Sequence, residues 1–201
     1  LRGPARAALG VGPRDLLVGW VGRLDRKKRV EDFLDAAIIL ARQEPEARFV
    51  VVGGPDAFMP EYEGELRARA APLGDRVAFA WLSRGEGMPH VIAEAGAAGL
   101  PVVATPDNGA LQQVRDGETG LLVPHDSPRA VAAALRRLLR DAPLRRRLGS
   151  ALRAHVERSY SAEVVVPQWR RLFDEVLAEA PGAPPATLFR SFVAGGWECS
   201  T

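Results

Sequence analysis

A chain of 201 residues with 47% hydrophobic and 26% charged residues is globular in composition, long enough to bury a sizeable core as one large domain or two small ones. Its one cysteine, Cys199, excludes an intrachain disulfide framework and a cysteine-based zinc site, and makes a reducing cytoplasm the default compartment. A net charge of +2 and a pI near 9.1 argue only weakly for an anionic ligand, and no apolar run approaches the roughly 18 residues of a membrane span.

The chain opens Leu1-Arg2-Gly3-Pro4 with no methionine and no signal peptide, so a fragment of a longer protein is expected. After a short helical piece and a turn through Gly10, Gly12 and Pro13, the run Leu16–Gly22 is apolar throughout and of strand length. Such continuity suits a strand buried on both faces of a parallel sheet. Arg23 and a charged loop follow, then a helix over 30–43 with Val30, Phe33, Leu34, Ala37, Ile38 and Ala41 at helical spacing. Arg48–Gly54 is a second buried strand, 61–71 a polar helix, and Val77–Leu82 a third apolar run.

The stretch Gly85–Thr105 reads as a glycine-bearing loop, a short helix and a buried strand at Pro101–Thr105. Beyond it come a short helix at Asn108–Val114, a short strand at Gly120–Val123, and a helix over 127–140 capped by Ser127 with Pro128 at its first position. Residues 141–158, with Arg140 just before them, are helical and rich in arginine (Arg145, Arg146, Arg147, Arg153, Arg158), a solvated face by the simplest reading and a membrane-surface or acidic-partner patch by the other. Glu163–Ala180 is an amphipathic helix with Trp169, Leu172, Phe173, Val176 and Leu177, its regular part expected to start at Pro167. Residues 181–185 form a Pro/Gly linker, and Thr187–Thr201 a tail too short to fold alone.

Short strands alternating with helices predict an α/β doubly wound parallel sheet over 1–180, with 181–201 as linker and tail. Ligands of such sheets bind beyond the carboxyl ends of the strands. Those ends are Gly22-Arg23, Gly53-Gly54, Gly85-Glu86-Gly87 and Thr105-Pro106.

The candidate chemistry lies there. Arg23 and Lys28 flank the loop after the first strand, a placement suited to a diphosphate. Hydrogen bonds to charged groups contribute roughly 1.5–3 kcal/mol each, enough for this pair to dominate phosphate affinity. Glu86–His90 precedes a helix whose free N–H groups and dipole favour an anion, and Gly87 lets the backbone approach a ligand closely. Glu94 follows Glu86 by eight positions, a separation of roughly 10–12 Å along a helix. Paired glycosidase carboxylates stand roughly 5–9.5 Å apart, so the two glutamates suit separate grips on one long polar ligand. Glu94 lies among Ala93, Ala95 and Ala97, a face small enough to be buried, where a carboxylate needs hydrogen-bond donors from the protein or from a bound ribose. His90 at a helix start is more simply structural than catalytic, and His125 and His155 lie in peripheral segments. No Ser/His/Asp arrangement, metal-ligand cluster, Gly-Lys-Ser/Thr phosphate loop or nucleic-acid-reading pattern is present in the sequence.

In combination, Val21-Gly22-Arg23-Leu24 with Lys28, Val51-Val52-Gly53-Gly54-Pro55, and Glu86 and Glu94 in Glu-Gly-Met-Pro-His-Val-Ile-Ala-Glu-Ala resemble the retaining glycosyltransferases of family 4. Pro101–Thr105, Asp116–Pro124 and the helix at 127–140 extend the match to about residue 178. The resemblance implies a Rossmann-like domain, the donor-binding C-terminal half of a GT-B enzyme. It places Arg23 and Lys28 on the donor diphosphate and leaving group, Glu94 on the ribose hydroxyls, and Glu86 on the transferred sugar. It places Met88, Pro89, His90 and Val91 in the segment whose backbone amides touch sugar and phosphate, and Gly22, Gly53 and Gly87 at the close approaches around it. The donor implied is a UDP- or GDP-sugar, with no metal and no other cofactor, and transfer occurs with retention through a same-face mechanism. The acceptor-binding N-terminal half is missing, so this chain alone is expected to bind donor but hardly to turn over, unless the fold serves as a non-catalytic nucleotide-binding module. The location implied is cytoplasmic, with a peripheral contact at the inner membrane face as the second reading of the arginine-rich helices. Two further departures stand out. Only Asp75–Gly85 occupies an interval where the family has strand, helix and strand, near the nucleobase site, and Asn108-Gly109-Ala110-Leu111-Gln112 stands where the family has two glycines and a glutamate.

Overall fold

The computed structural model describes residues 4, 6–7, 9–12, 14–54, 59, 61–80 and 90–178. Its Cα packing divides the chain into two compact units, the first comprising residues 1–157 and the second beginning at Arg158.

In the first unit, β1 (Leu16–Val21), β2 (Ala47–Val52) and β3 (Val77–Ala80) form one parallel sheet in that order. Leu16 pairs with Ala47 and the register holds to Val21 opposite Val52, while Phe49 pairs with Val77. The helices α1 (Val30–Ala41) and α2 (Tyr62–Ala70) supply its cover. Phe33, Leu34, Ala37 and Leu40 of α1, with Tyr62 and Leu66 of α2, close on Val18, Phe49 and Val51. The rings of Phe33 and Phe49 meet edge to face at 6.4 Å. β2 is buried along most of its length, as its continuous apolar run leads one to expect. The same expectation for β1 is corrected: it lies at the sheet edge among the described residues, where only its Val18 is buried and Gly19 and Val21 are exposed.

A second parallel pair joins β4 (Val103–Ala104) to β5 (Leu121–Leu122). Both are shorter than the expected 101–105 and 120–123, yet the ladder runs past them, with the Leu121 N–H bonded to the Val102 carbonyl and that of Val123 to Ala104, both at 2.9 Å. The turn before β5 is built by its side chains. Buried Thr119 accepts the Arg115 N–H at 2.8 Å, Asp116 Oδ1 accepts the Leu122 N–H at 2.9 Å, and Gly117 takes the left-handed conformation at φ +71°.

Among the described residues this unit also holds the α-helices α3 (His90–Ala97), α4 (Asn108–Leu111), α5 (Pro128–Arg140) and α6 (Ala142–Tyr160), the last running across the boundary between the units. At α5 Pro128 is the first residue as expected, but Ser127 makes no side-chain capping bond, so the fixed φ of the proline sets the start. α5 packs along α1, with Leu135 and Leu139 against the first core, while its Leu138 joins Leu121, Leu144 and Leu148 in a separate cluster. α6 crosses α3 at small residues: a Cβ on Gly96 would stand 2.7 Å from Val156 and one on Gly149 2.2 Å from the Gly99 carbonyl oxygen.

In the second unit α7 spans Ala162–Ala178. The expectation that its regular part begins at Pro167 is corrected, because the N–H groups of Val164 and Val165 already bond the Ser161 carbonyl at 3.0 and 2.9 Å. The helix is thus established before the proline, which forgoes one bond and does not set the start. Trp169 and Phe173, one turn apart, bring their rings to 5.7 Å and are exposed. Among the described residues no helix is long and apolar enough to cross a membrane.

Candidate functional site

The carboxyl ends of β1 and β2 are locked together. The Gly22 N–H bonds the Val52 carbonyl and the Leu24 N–H that of Gly54, each at 2.9 Å, so parallel pairing continues beyond the strands. Gly53 sits at φ +155°, and a Cβ there would stand 1.7 Å from the Gly22 carbonyl oxygen. Only glycine fits.

Past this point Leu24 is fully buried and Asp25 is 3% exposed. The Asp25 carboxylate divides its two oxygens: Oδ2 accepts from Arg23 Nε and Oδ1 from the backbone N–H of Lys28, each at 3.0 Å. The second bond caps a single-turn 3-10 helix over Arg26–Lys28. Arg23 keeps its side chain 47% exposed and Lys28 is exposed, so both cations face outward from one buried anchor. Asp25 was not singled out from the sequence, although an aspartate three residues before Lys28 is a capping signature.

On α3 the described part of the second motif begins at His90, which is exposed. Val91 is half-buried and packs against the cluster of Ile92, Leu152 and Val156. Glu94 is exposed, which corrects the expectation of a buried carboxylate. Ile92 and Gly96 turn into the core, and a residue two positions from each points about 200° away around the helix. Small neighbours do not bury it; helical phase decides. Glu86, Gly87, Met88 and Pro89 lie outside the described residues, as do Trp81, Leu82 and the segment 181–201. Gln112 is exposed, with its carbonyl 3.3 Å from His155 Nε2.

The structure therefore gathers Gly22, Arg23, Lys28 and Gly53 at one sheet end and sets His90 and Glu94 one turn apart on α3. A further link joins the two sheets on their carboxyl side, where Arg29 Nη2 stands 2.6 Å from Asp126 Oδ1 and ties the loop after β1 to the loop after β5. Beside it Asp107, in the loop after β4, accepts from Thr105 Oγ1 at 2.7 Å and lies 3.5 Å from His125 Nε2.

Of the arginines of this stretch, Arg145 is half-buried and Arg140, Arg146, Arg147, Arg153 and Arg158 are exposed, the solvated face of the simplest reading, though several also bond to the protein. Arg145 donates to the carbonyls of Leu138 and Leu139 at 2.6 and 2.5 Å, closing the last turn of α5. Arg140 pairs with Glu44, Arg153 with Glu157, and Arg147 donates to the Gly117 carbonyl.

The sequence model of the family Glycosyl transferases group 1 matches residues 15–141. A D-inositol 3-phosphate glycosyltransferase of Jonesia denitrificans is 32% identical over 176 residues, which is 76% of this chain and 41% of that protein. Anabaena HepE, solved in complex with UDP and glucose, superposes with a TM-score of 0.77 at 22% identity over 86% of this chain and 51% of its own. The C-terminal domain of LpcC, a glycosyl transferase group 1 protein of Francisella tularensis, superposes at 0.69 with 21% identity over 80% of this chain and 93% of that domain. At such identities these two structures speak for the fold alone. The chain spans less than half the length of the curated relative. Given the family match across the strands and loops just described, the chain belongs to glycosyl transferases group 1 and has the fold of the C-terminal domain of GT-B glycosyltransferases.

Proposed function

We propose that this chain is the donor-binding half of a retaining glycosyltransferase of the family 4 type, taking a sugar from a nucleoside diphosphate sugar. The observation that carries the reading is the pair of outward-facing cations, Arg23 and Lys28, anchored on one buried carboxylate at the carboxyl end of a parallel sheet. Such a pair meets the charge of a departing diphosphate, the electrostatic stabilisation on which this transfer depends. Glu94, exposed on α3, takes the ribose hydroxyls, and Glu86 the transferred sugar. The backbone of Gly87 to Val91 lines the sugar and phosphates, and Gly22 and Gly53 let the donor approach the strand ends. The reading assigns no metal to the site. UDP is the first nucleotide to try, since HepE was solved with it, and GDP the second.

Because the chain spans only part of its relatives, acceptor choice and turnover belong to the whole protein, and donor binding is the activity proposed for this chain. Calorimetric titration with UDP, GDP and ADP, with and without EDTA, tests it. One nucleotide is expected to bind irrespective of chelator and to lose affinity in Arg23→Ala. Absence of binding to all three at millimolar concentration would refute the donor site.

A further inference from the structure

We propose that Asp25 is a positioning residue, holding Arg23 and Lys28 in the arrangement that grips the donor diphosphate. The inference rests on the donor-site reading above and deepens it. Three observations carry it. Asp25 is 3% exposed, on a loop otherwise dominated by exposed cations. Its two oxygens go to two different donors, Arg23 Nε and the Lys28 N–H, at equal distances of 3.0 Å. Those donors belong to the two residues proposed to meet the diphosphate and to no others in the loop. A plain helix cap needs only the second bond.

The physical role follows from what an unheld arginine loses. Guanidinium side chains carry many rotamers, and one free in solvent gives them up on binding phosphate. Held through Nε, Arg23 has given up much of that freedom in advance, which is preorganisation. The charge of Asp25 acts in the opposite sense, since a carboxylate beside a bound diphosphate repels it. Position and charge therefore predict opposite outcomes when the carboxylate is removed. That makes the proposal testable by sign alone.

The experiment compares wild type with Asp25→Asn and Asp25→Ser, measuring affinity for UDP, GDP and ADP and for their monophosphates by calorimetry, beside a thermal melt. Serine is a good helix cap for the Lys28 N–H but lacks the second oxygen that holds Arg23. In both variants the ratio of diphosphate to monophosphate affinity is expected to fall about tenfold, the loss of one charge-assisted contact. Asp25→Ser is expected to remain folded. A double variant, Arg23→Gln with Asp25→Ser, is expected to lose less than the sum of the two single losses, because Asp25 acts through Arg23. If Asp25→Ser leaves the ratio unchanged, or if both affinities fall together with the melting temperature, Asp25 is a structural cap only and the proposal is overturned. If the ratio rises, its charge matters and its position does not, and the proposal is equally overturned. If wild type binds none of the three diphosphates, the donor-site reading falls and takes this inference with it.

Discussion

Arg29 and Asp126, paired at 2.6 Å across the carboxyl ends of the two sheets, are the two non-glycine residues with positive φ among those described, at +51° and +50°. Arg29 directly precedes α1 and Asp126 stands two residues before α5, so the pair joins two strained turns. Aspartate tolerates the left-handed region, whereas alanine there costs about 1 kcal/mol. Asp126→Gly is therefore expected to hold or raise the melting temperature despite losing the pair, while Asp126→Ala lowers it by about 2–4 °C. Equal losses in both variants would assign the effect to the ion pair and not to the backbone.

Gly53→Ala tests the seam between β1 and β2. With an added methyl 1.7 Å from the Gly22 carbonyl and φ at +155°, neither a rotamer change nor a small shift accommodates it. A destabilisation of about 3 kcal/mol or more is expected in urea unfolding, with nucleotide binding lost in the same variant. Gly54→Ala, with open space around its Cβ position, is the matched control and is expected to stay near wild type.

Arg23 and Glu94 are proposed to grip different parts of one ligand, and their variants are expected to differ accordingly. Arg23→Ala weakens diphosphates by about tenfold or more and nucleosides little. Glu94→Ala weakens diphosphate, monophosphate and nucleoside alike, also by about tenfold, because all three carry the ribose. Identical affinity profiles in the two variants would sink the division of roles.

Both tyrosines resist ionisation. Burial holds the Tyr62 phenol well above its ordinary value, helped by its hydrogen bond to the Glu31 carboxylate, while Tyr160, 37% exposed, is raised only by partial desolvation. The folded chain thus favours the protonated phenols, a contribution fully present below pH ~10 and lost as pH rises above it. Absorbance near 295 nm is expected to show little tyrosinate at pH ~10 in the native protein and about half ionisation after unfolding. Urea midpoints are expected to fall between pH ~9 and ~11. Native ionisation at the ordinary pH would contradict the burial of Tyr62.

Much of the architecture was legible because apolar runs and helical periods mark where strands and helices run, even where, as in β1, the run overstates burial. Leu16–Val21, Ala47–Val52 and Val30–Ala41 lie where continuity and period place them. The site was legible at Arg23, Lys28 and Gly53, which sit at strand ends. Asp25 was not, because a buried carboxylate in a run of charged residues looks like any other loop charge until its partners are known. Glu94 was misjudged in its environment because alanine neighbours were weighed in place of the phase set by Ile92 and Gly96. The arginines of α5 and α6 carry no sequence mark that separates a capping Arg145 from an exposed Arg146, since only the fold brings Leu138 and Leu139 within reach.

The helix α5 binds one sheet's cover through Leu135 and Leu139 and the other sheet through Leu138, while Glu44 clamps its Arg136 and Arg140 to the end of α1. Two sheets that share no strand hydrogen bonds among the described residues are in this way made interdependent. Residues 1–157 should accordingly unfold in a single transition, with the amides of β2 and β5 exchanging hydrogen only through that same global opening. A Glu44→Ala variant, by loosening the clamp, is the place where the two sheets would first be seen to exchange at different rates.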